Sequence, residues 1–228
     1  MEYTIPLALQ DYMTVIFSAL GLVLLTRMIN SIDRDLGRMA LIGMILIVTG
    51  GVFKATGKLV IAAGGPTLDW LYHGLFPLIA PGFTIFVWSL YQVRRHFRDE
   101  ASLKRPWLVP LVLIALFGAG SIALGAAGGP WRVVLIMQAT LANIFMLIML
   151  AVAAWRRDMR GTAVLFMLTL TVVLVMSQMA QIPFSNIGMV WFAQISQTIA
   201  QALFVIAAWQ YGEVMTSSYR QRLSLQTA

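Results

Sequence analysis

Seven stretches of this chain, each about 20 residues or longer, carry almost no charge, and that leaves few folds open. A helix needs about 20 mostly apolar residues to cross a hydrocarbon layer roughly 30 Å thick. Inside that layer every backbone polar group has to be satisfied within the segment or by a neighbour. The stretches cover residues 7–28, 39–63, 70–93, 107–127, 133–155, 162–182 and 191–213. Gly64, Gly65 and Pro66 separate the second from the third, and Gly128, Gly129 and Pro130 separate the fourth from the fifth; both are turn signals. Charged residues make up 11% of the 228, against about 25% in a soluble domain. The expected fold is an all-α integral membrane protein, a seven-transmembrane-helix bundle forming a single domain over residues 1–228, with the lipid bilayer as its first partner.

Thirteen of the 16 basic residues fall in alternate loops and the tail. Arg27, Arg34 and Arg38 follow span one, and Arg94, Arg95, Arg98, Lys104 and Arg105 follow span three. Arg156, Arg157 and Arg160 follow span five, and Arg220 and Arg222 lie in the tail. The positive-inside rule makes these cytoplasmic, so the N-terminus is expected outside and the C-terminus inside, in the cytoplasmic (inner) membrane of a bacterium. The net charge of +7 is thereby a topology signal. No basic segment is interleaved with aromatics in a soluble region, so nucleic acid is not an expected partner. The first span has no basic n-region or small-residue cleavage site before it and reads as a retained helix.

Direction along each span converts position into depth. The strongly polar residues then gather in the outer half: Gln10, Asp11, Tyr12 and Thr14 on span one, Lys54 and Lys58 on span two, and Asp69, Tyr72 and His73 on span three. Gln138, Thr140 and Asn143 follow on span five, Ser177, Gln178 and Gln181 on span six, and Gln194, Gln197, Thr198 and Gln201 on span seven. Gln194, Gln197 and Gln201 share one helical face. A polar group in hydrocarbon needs partners, which two arrangements supply: a water-facing pocket, or dry contacts that tie helices together at about 0.6 kcal/mol each.

Lys54 and Lys58 stack four residues apart. Lys58 lies near the outer boundary, where its stem can snorkel. Lys54 lies deeper and needs an anion, for which Asp11 is the natural structural partner and a bound ligand the other source. Thr49, Gly50, Gly51, Thr56 and Gly57 flank it, small residues that let helices approach closely. Gly57-Lys58 is not a phosphate-binding loop, because Leu59 follows the lysine. Pro77, Pro81 and Gly82 are expected to bend or break span three near mid-membrane, as a hinge or a static kink. Asp69 and His73, at i and i+4, allow an acid–base pair or an interfacial hydrogen bond.

No catalytic residues are assigned, and an enzyme is the less favoured class. The chain has no cysteine and two histidines on opposite sides, so neither a metal site nor a haem pair is expected, and no cofactor is assigned. A retinal Schiff base needs a lysine in the seventh span, which has none. The expected function is binding or sensing of a small polar or anionic ligand in an outward-facing pocket formed by Lys54, Asp11, Tyr72, His73, Gln138, Asn143, Gln178, Gln181, Gln194, Gln197 and Gln201. A protein partner or a homo-oligomer would carry the response. The alternatives are a small transporter of three-plus-one-plus-three plan, with span four as a linker, and an accessory subunit of a membrane complex. A lipid-headgroup enzyme using Asp69 and His73 is a further possibility.

Overall fold

The computed structural model describes residues 4–97, 105–179 and 187–227, and among them every regular element is a helix. The helices are α1 (Ile5–Ile32), α2 (Arg34–Ala62), α3 (Asp69–His73), α4 (Leu75–His96), α5 (Leu108–Ala126), α6 (Arg132–Trp155), α7 (Arg160–Met179) and α8 (Ile187–Thr227). Six segments are long and apolar enough to cross a membrane: α1, α2, α3 with α4, α5, α6 and α8.

Local chemistry sets the ends. Asp33 closes α1 and opens α2, its side chain accepting from the backbone amides of Asp35 at 2.9 Å and Leu36 at 3.0 Å, as an N-cap carboxylate does. Gly64 (φ +78°) and Gly128 (φ +73°) take left-handed conformations after α2 and α5, which explains glycine at both turns.

Packing partners define a closed ring. Each of α1, α2, α4, α6, α7 and α8 packs on the next, and α8 returns to α1. Helix α5 stands outside, packed only on α4 and α6. Its buried residues are Pro110 and Ser121, whereas Leu116 and Ile122 are 66% and 75% exposed. At the α2–α4 crossing backbone meets backbone. A Cβ added to Gly43 would sit 2.7 Å from the carbonyl oxygen of Gly82, and one added to Gly82 would sit 2.9 Å from that of Gly43. Gly82 therefore serves a helix crossing.

The expected mid-membrane break in the third span falls elsewhere. The chain breaks at Gly74, between α3 and α4. Pro77 lies in the first turn of α4, where a missing N–H costs nothing because those amides have no intrahelical acceptor. Pro81 lies inside α4, which continues through it to His96. The last helix also runs past the expected end at residue 213, to Thr227.

The interior of the ring is unequal from end to end. The large buried cluster, including Leu22, Leu25, Ile29, Met39, Phe86, Leu147, Leu150, Phe166 and Phe204, fills the half nearer the arginine-rich loops. Toward the other end the second cluster comprises Ala80, Leu135 and Ala139.

Candidate functional site

Helix α2 carries the site's charge. At 100° per residue, its lipid-facing residues Leu41, Ile45 and Val52 mark one side, and Gly43, Ile47 and Gly50 mark the other. Gly50 faces Leu75, Leu78 and Ile79 of α4, and Gly51 faces Val15 of α1. Lys54 falls about 40° from Gly50 toward Gly51, so it points between α4 and α1 into the ring. It is partly buried. Lys58, one turn farther along, is 6% exposed.

Asp11 of α1 pairs with Lys58 at 2.5 Å, with the two side chains 11% and 8% exposed. The contact is a buried ion pair. The carboxylate expected to serve Lys54 is thus engaged one turn above it, and Lys58 is buried, not snorkelling. Tyr12 Oη meets Thr56 Oγ1 at 2.7 Å and Val15 abuts Gly51, which sets Asp11 level with residues 55–57, between the two lysines, and it is Lys58 that it meets. Among the described residues Lys54 makes no hydrogen bond or ion pair.

Below Lys54 lies a cavity of about 30 Å³ lined by Ser18, Asn143, Thr169 and Gln201 together with Leu22, Phe83, Met146, Leu147, Val173 and Phe204. That is room for one or two waters. Ser18 stands about one turn below the Val15–Gly51 contact and Lys54 about one turn above it, so the Lys54 backbone is roughly 9 Å above Ser18 along the axis. Leu22, Leu147 and Phe204 close its floor. Among the described residues no group of three His, Cys, Asp or Glu could hold a metal.

Other polar residues are spent on seams between helices. Gln10 Nε2 donates to Thr198 Oγ1 at 3.0 Å, Thr14 Oγ1 lies 2.8 Å from the same atom, and Thr198 donates to the Gln194 carbonyl at 3.0 Å. Gln138 Nε2 donates to Thr84 Oγ1 at 2.9 Å, while Thr84 donates to the Ala80 carbonyl. His73 Nε2 lies 2.8 Å from Arg132 Nη2. A guanidinium only donates, so Nε2 accepts and the ring proton sits on Nδ1, which is buried with no partner among the described residues. His73 is thus held by Arg132, with no hydrogen bond to Asp69.

Of the expected site residues, Lys54, Asn143 and Gln201 reach the ring interior, and Asp11 stands beside them, paired. Gln138 and His73 serve the α4–α6 and α3–α6 contacts. Gln194 and Gln197 are partly buried on α8. The side chains of Tyr72 and Gln178, and all of Gln181, lie outside the described residues. Ser18 and Thr169 are cavity residues that depth reasoning passed over. The signal for Ser18 was its place on the Asp11, Thr14, Ser18, Leu22 stripe of α1. Comparison with protein-family models, curated proteins and solved structures returns no match to this chain.

Proposed function

We propose that the chain is a seven-span bundle in a bacterial cytoplasmic membrane, N-terminus outside, that binds a small polar anion from the outer side within its helix ring. Helix α7 supplies the seventh span, its 20 residues reaching about 30 Å, and the arginine-rich loops supply the orientation. One observation carries the functional reading. Asp11 pairs with Lys58, and Lys54, which has no ion pair among the described residues, faces inward above a polar cavity. A cation in that setting is stabilised by an anion, and the Asn143 and Gln201 amides offer donors to orient it. Lys54→Ala should abolish thermal stabilisation by small carboxylates and phosphate esters in purified protein, whereas Arg34→Ala, at the opposite end of α2, should preserve it. Equal ligand stabilisation in wild type and Lys54→Ala would remove Lys54 from the site.

A transporter reading has one observation in its favour. The ring divides into two triples, α1–α2–α4 and α6–α7–α8, with α5 outside as the connecting span. Proteoliposomes separate the readings: saturable uptake of an anion that also stabilises the protein would make it a carrier, and stabilisation without uptake supports a binding protein.

A further inference from the structure

We propose a second site, for an anionic phospholipid, on the lipid-facing groove between α6 and α7. The groove has a volume of about 280 Å³ and is lined by Ala151, Val152, Trp155, Val164, Met167 and Leu168, among others. Its apolar character suits an acyl chain. Its position is set by small residues: Ala151 and Ala163, 4% and 3% exposed, let the two helices run close beneath it. Exposed Val152, Val164, Met167 and Leu168, at 38–49%, form its open walls.

The charge at its loop end selects the head group. Arg156 and Arg157 lie in the turn joining α6 to α7, and Arg160 opens α7. Arg160 lies over the Trp155 ring at 5.9 Å, and Arg157 lies over Phe97 at 5.0 Å. Arg156 and Arg160 are exposed, and neither forms an ion pair with another described residue, Asp158 of the same turn included. The amides of Arg160, Gly161 and Thr162 open α7, the first ladder bond there being Ala163 N–H to the Met159 carbonyl. A phosphodiester beside them would meet two guanidinium groups and a helix N-terminus. Trp155, 57% exposed at the same level, suits the boundary between head group and chain. A basic pocket between helices at the positively charged side of a membrane protein is the setting in which anionic lipid head groups bind. The site is independent of Lys54 and lies on the outer wall of the ring.

Lipid titration followed by native mass spectrometry of the full chain in detergent tests this. Wild type should bind phosphatidylglycerol roughly 30-fold more tightly than phosphatidylcholine, as two interfacial arginines imply. Arg156→Gln with Arg160→Gln should abolish that preference, and the control pair Arg34→Gln with Arg38→Gln should retain it. Val164→Phe, which fills the groove, should weaken both lipids together. Equal binding of the two lipids to wild type would overturn the proposal, as would a preference that survives the Arg156/Arg160 change. Displacement of phosphatidylglycerol by inorganic phosphate alone would also overturn it, because the site would then be one for soluble anions.

Discussion

Asp11→Asn and Lys58→Met remove opposite halves of one ion pair, and the structure makes their costs unequal. The pair is buried, its side chains 11% and 8% exposed, and removing one member of such a pair costs about 3–5 kcal/mol. Asp11→Asn leaves Lys58 and Lys54 one turn apart on the same stripe without the Asp11 carboxylate, so a cost of about 3–5 kcal/mol is expected, plus a few tenths for like charges at i, i+4. Lys58→Met releases Asp11 toward a replacement. Lys54 lies about 6 Å farther along the axis, within the span of a flexible lysine stem. The expected loss is then about 1–2 kcal/mol, mainly the price of re-ordering two side chains. Lys54→Met added to Lys58→Met removes the replacement and should bring the loss back to about 3–5 kcal/mol. Adding Asp11→Asn to that pair, so that no charge remains, should recover most of it, because an apolar substitute for a buried pair is often neutral.

Tryptophan fluorescence during thermal unfolding in a mild detergent reads this directly. At about 2–4 °C per kcal/mol for a chain of this size, Asp11→Asn should lower the midpoint by on the order of 10 °C and Lys58→Met by a few degrees. Equal losses for the two single variants would refute the reasoning, as would a Lys54→Met change that adds nothing to Lys58→Met. Either result would mean that Lys54 does not communicate with Asp11.

The α2–α4 crossing gives a second expectation. Gly43→Ala places a methyl against backbone atoms at 2.7 and 2.9 Å and should cost about 1–3 kcal/mol, whereas Gly118→Ala on α5, with nothing within 4 Å, should be neutral or stabilise by up to about 1 kcal/mol; equal effects in thermal unfolding would argue against the crossing. Topology reporters test the orientation: a fusion after Ala228 should report cytoplasm and an insertion at Gly65 the outside, and the reverse pattern would invert the proposed ligand side.

Most helix limits were legible because loop chemistry is local. The turns at Gly64 and Gly128 were marked by glycine and proline, and the ends of α2, α5 and α6 fall within a few residues of the expected limits, the largest difference being the start of α2. Helix α8 was read too short. Its last 14 residues hold Ser217, Ser218, Arg220 and Arg222, which no apolar-span criterion includes although they prolong the helix. The prolines drew the expected break away from Gly74, yet Pro77 sits in a first turn, where its missing N–H costs nothing, and α4 continues through Pro81. At the site, depth was readable and azimuth was not. Counting residues along α2 separates Lys54 from Lys58 by about one turn. The Val15–Gly51 contact and the Tyr12–Thr56 hydrogen bond put Asp11 at a level between them, and only the fold shows that it meets Lys58. Likewise the glutamines formed a band in sequence, whereas in the fold Gln10 and Gln138 close helix seams and Gln201 reaches the cavity.

The two triples of the ring are joined by different chemistry, and this bears on what a ligand could do. In α1–α2–α4 the tight contact is backbone against backbone at Gly43 and Gly82, an interface with no rotamer to change. In α6–α7–α8 the corresponding contacts are aromatic: Phe166 meets Phe204 and Tyr211 with ring centroids 6.2 Å apart in both cases. Side chains of that size can re-orient and let their helices shift, as glycine contacts cannot. Lys54 belongs to the first triple, and Asn143, Thr169 and Gln201 belong to the second. On the proposed reading, an anion held by both draws the second triple toward the first. Because Leu22, Leu147 and Phe204 close the interior below, the consequence reaches the arginine-rich side as helix displacement through Phe204 and Phe166, and not as passage of the ligand.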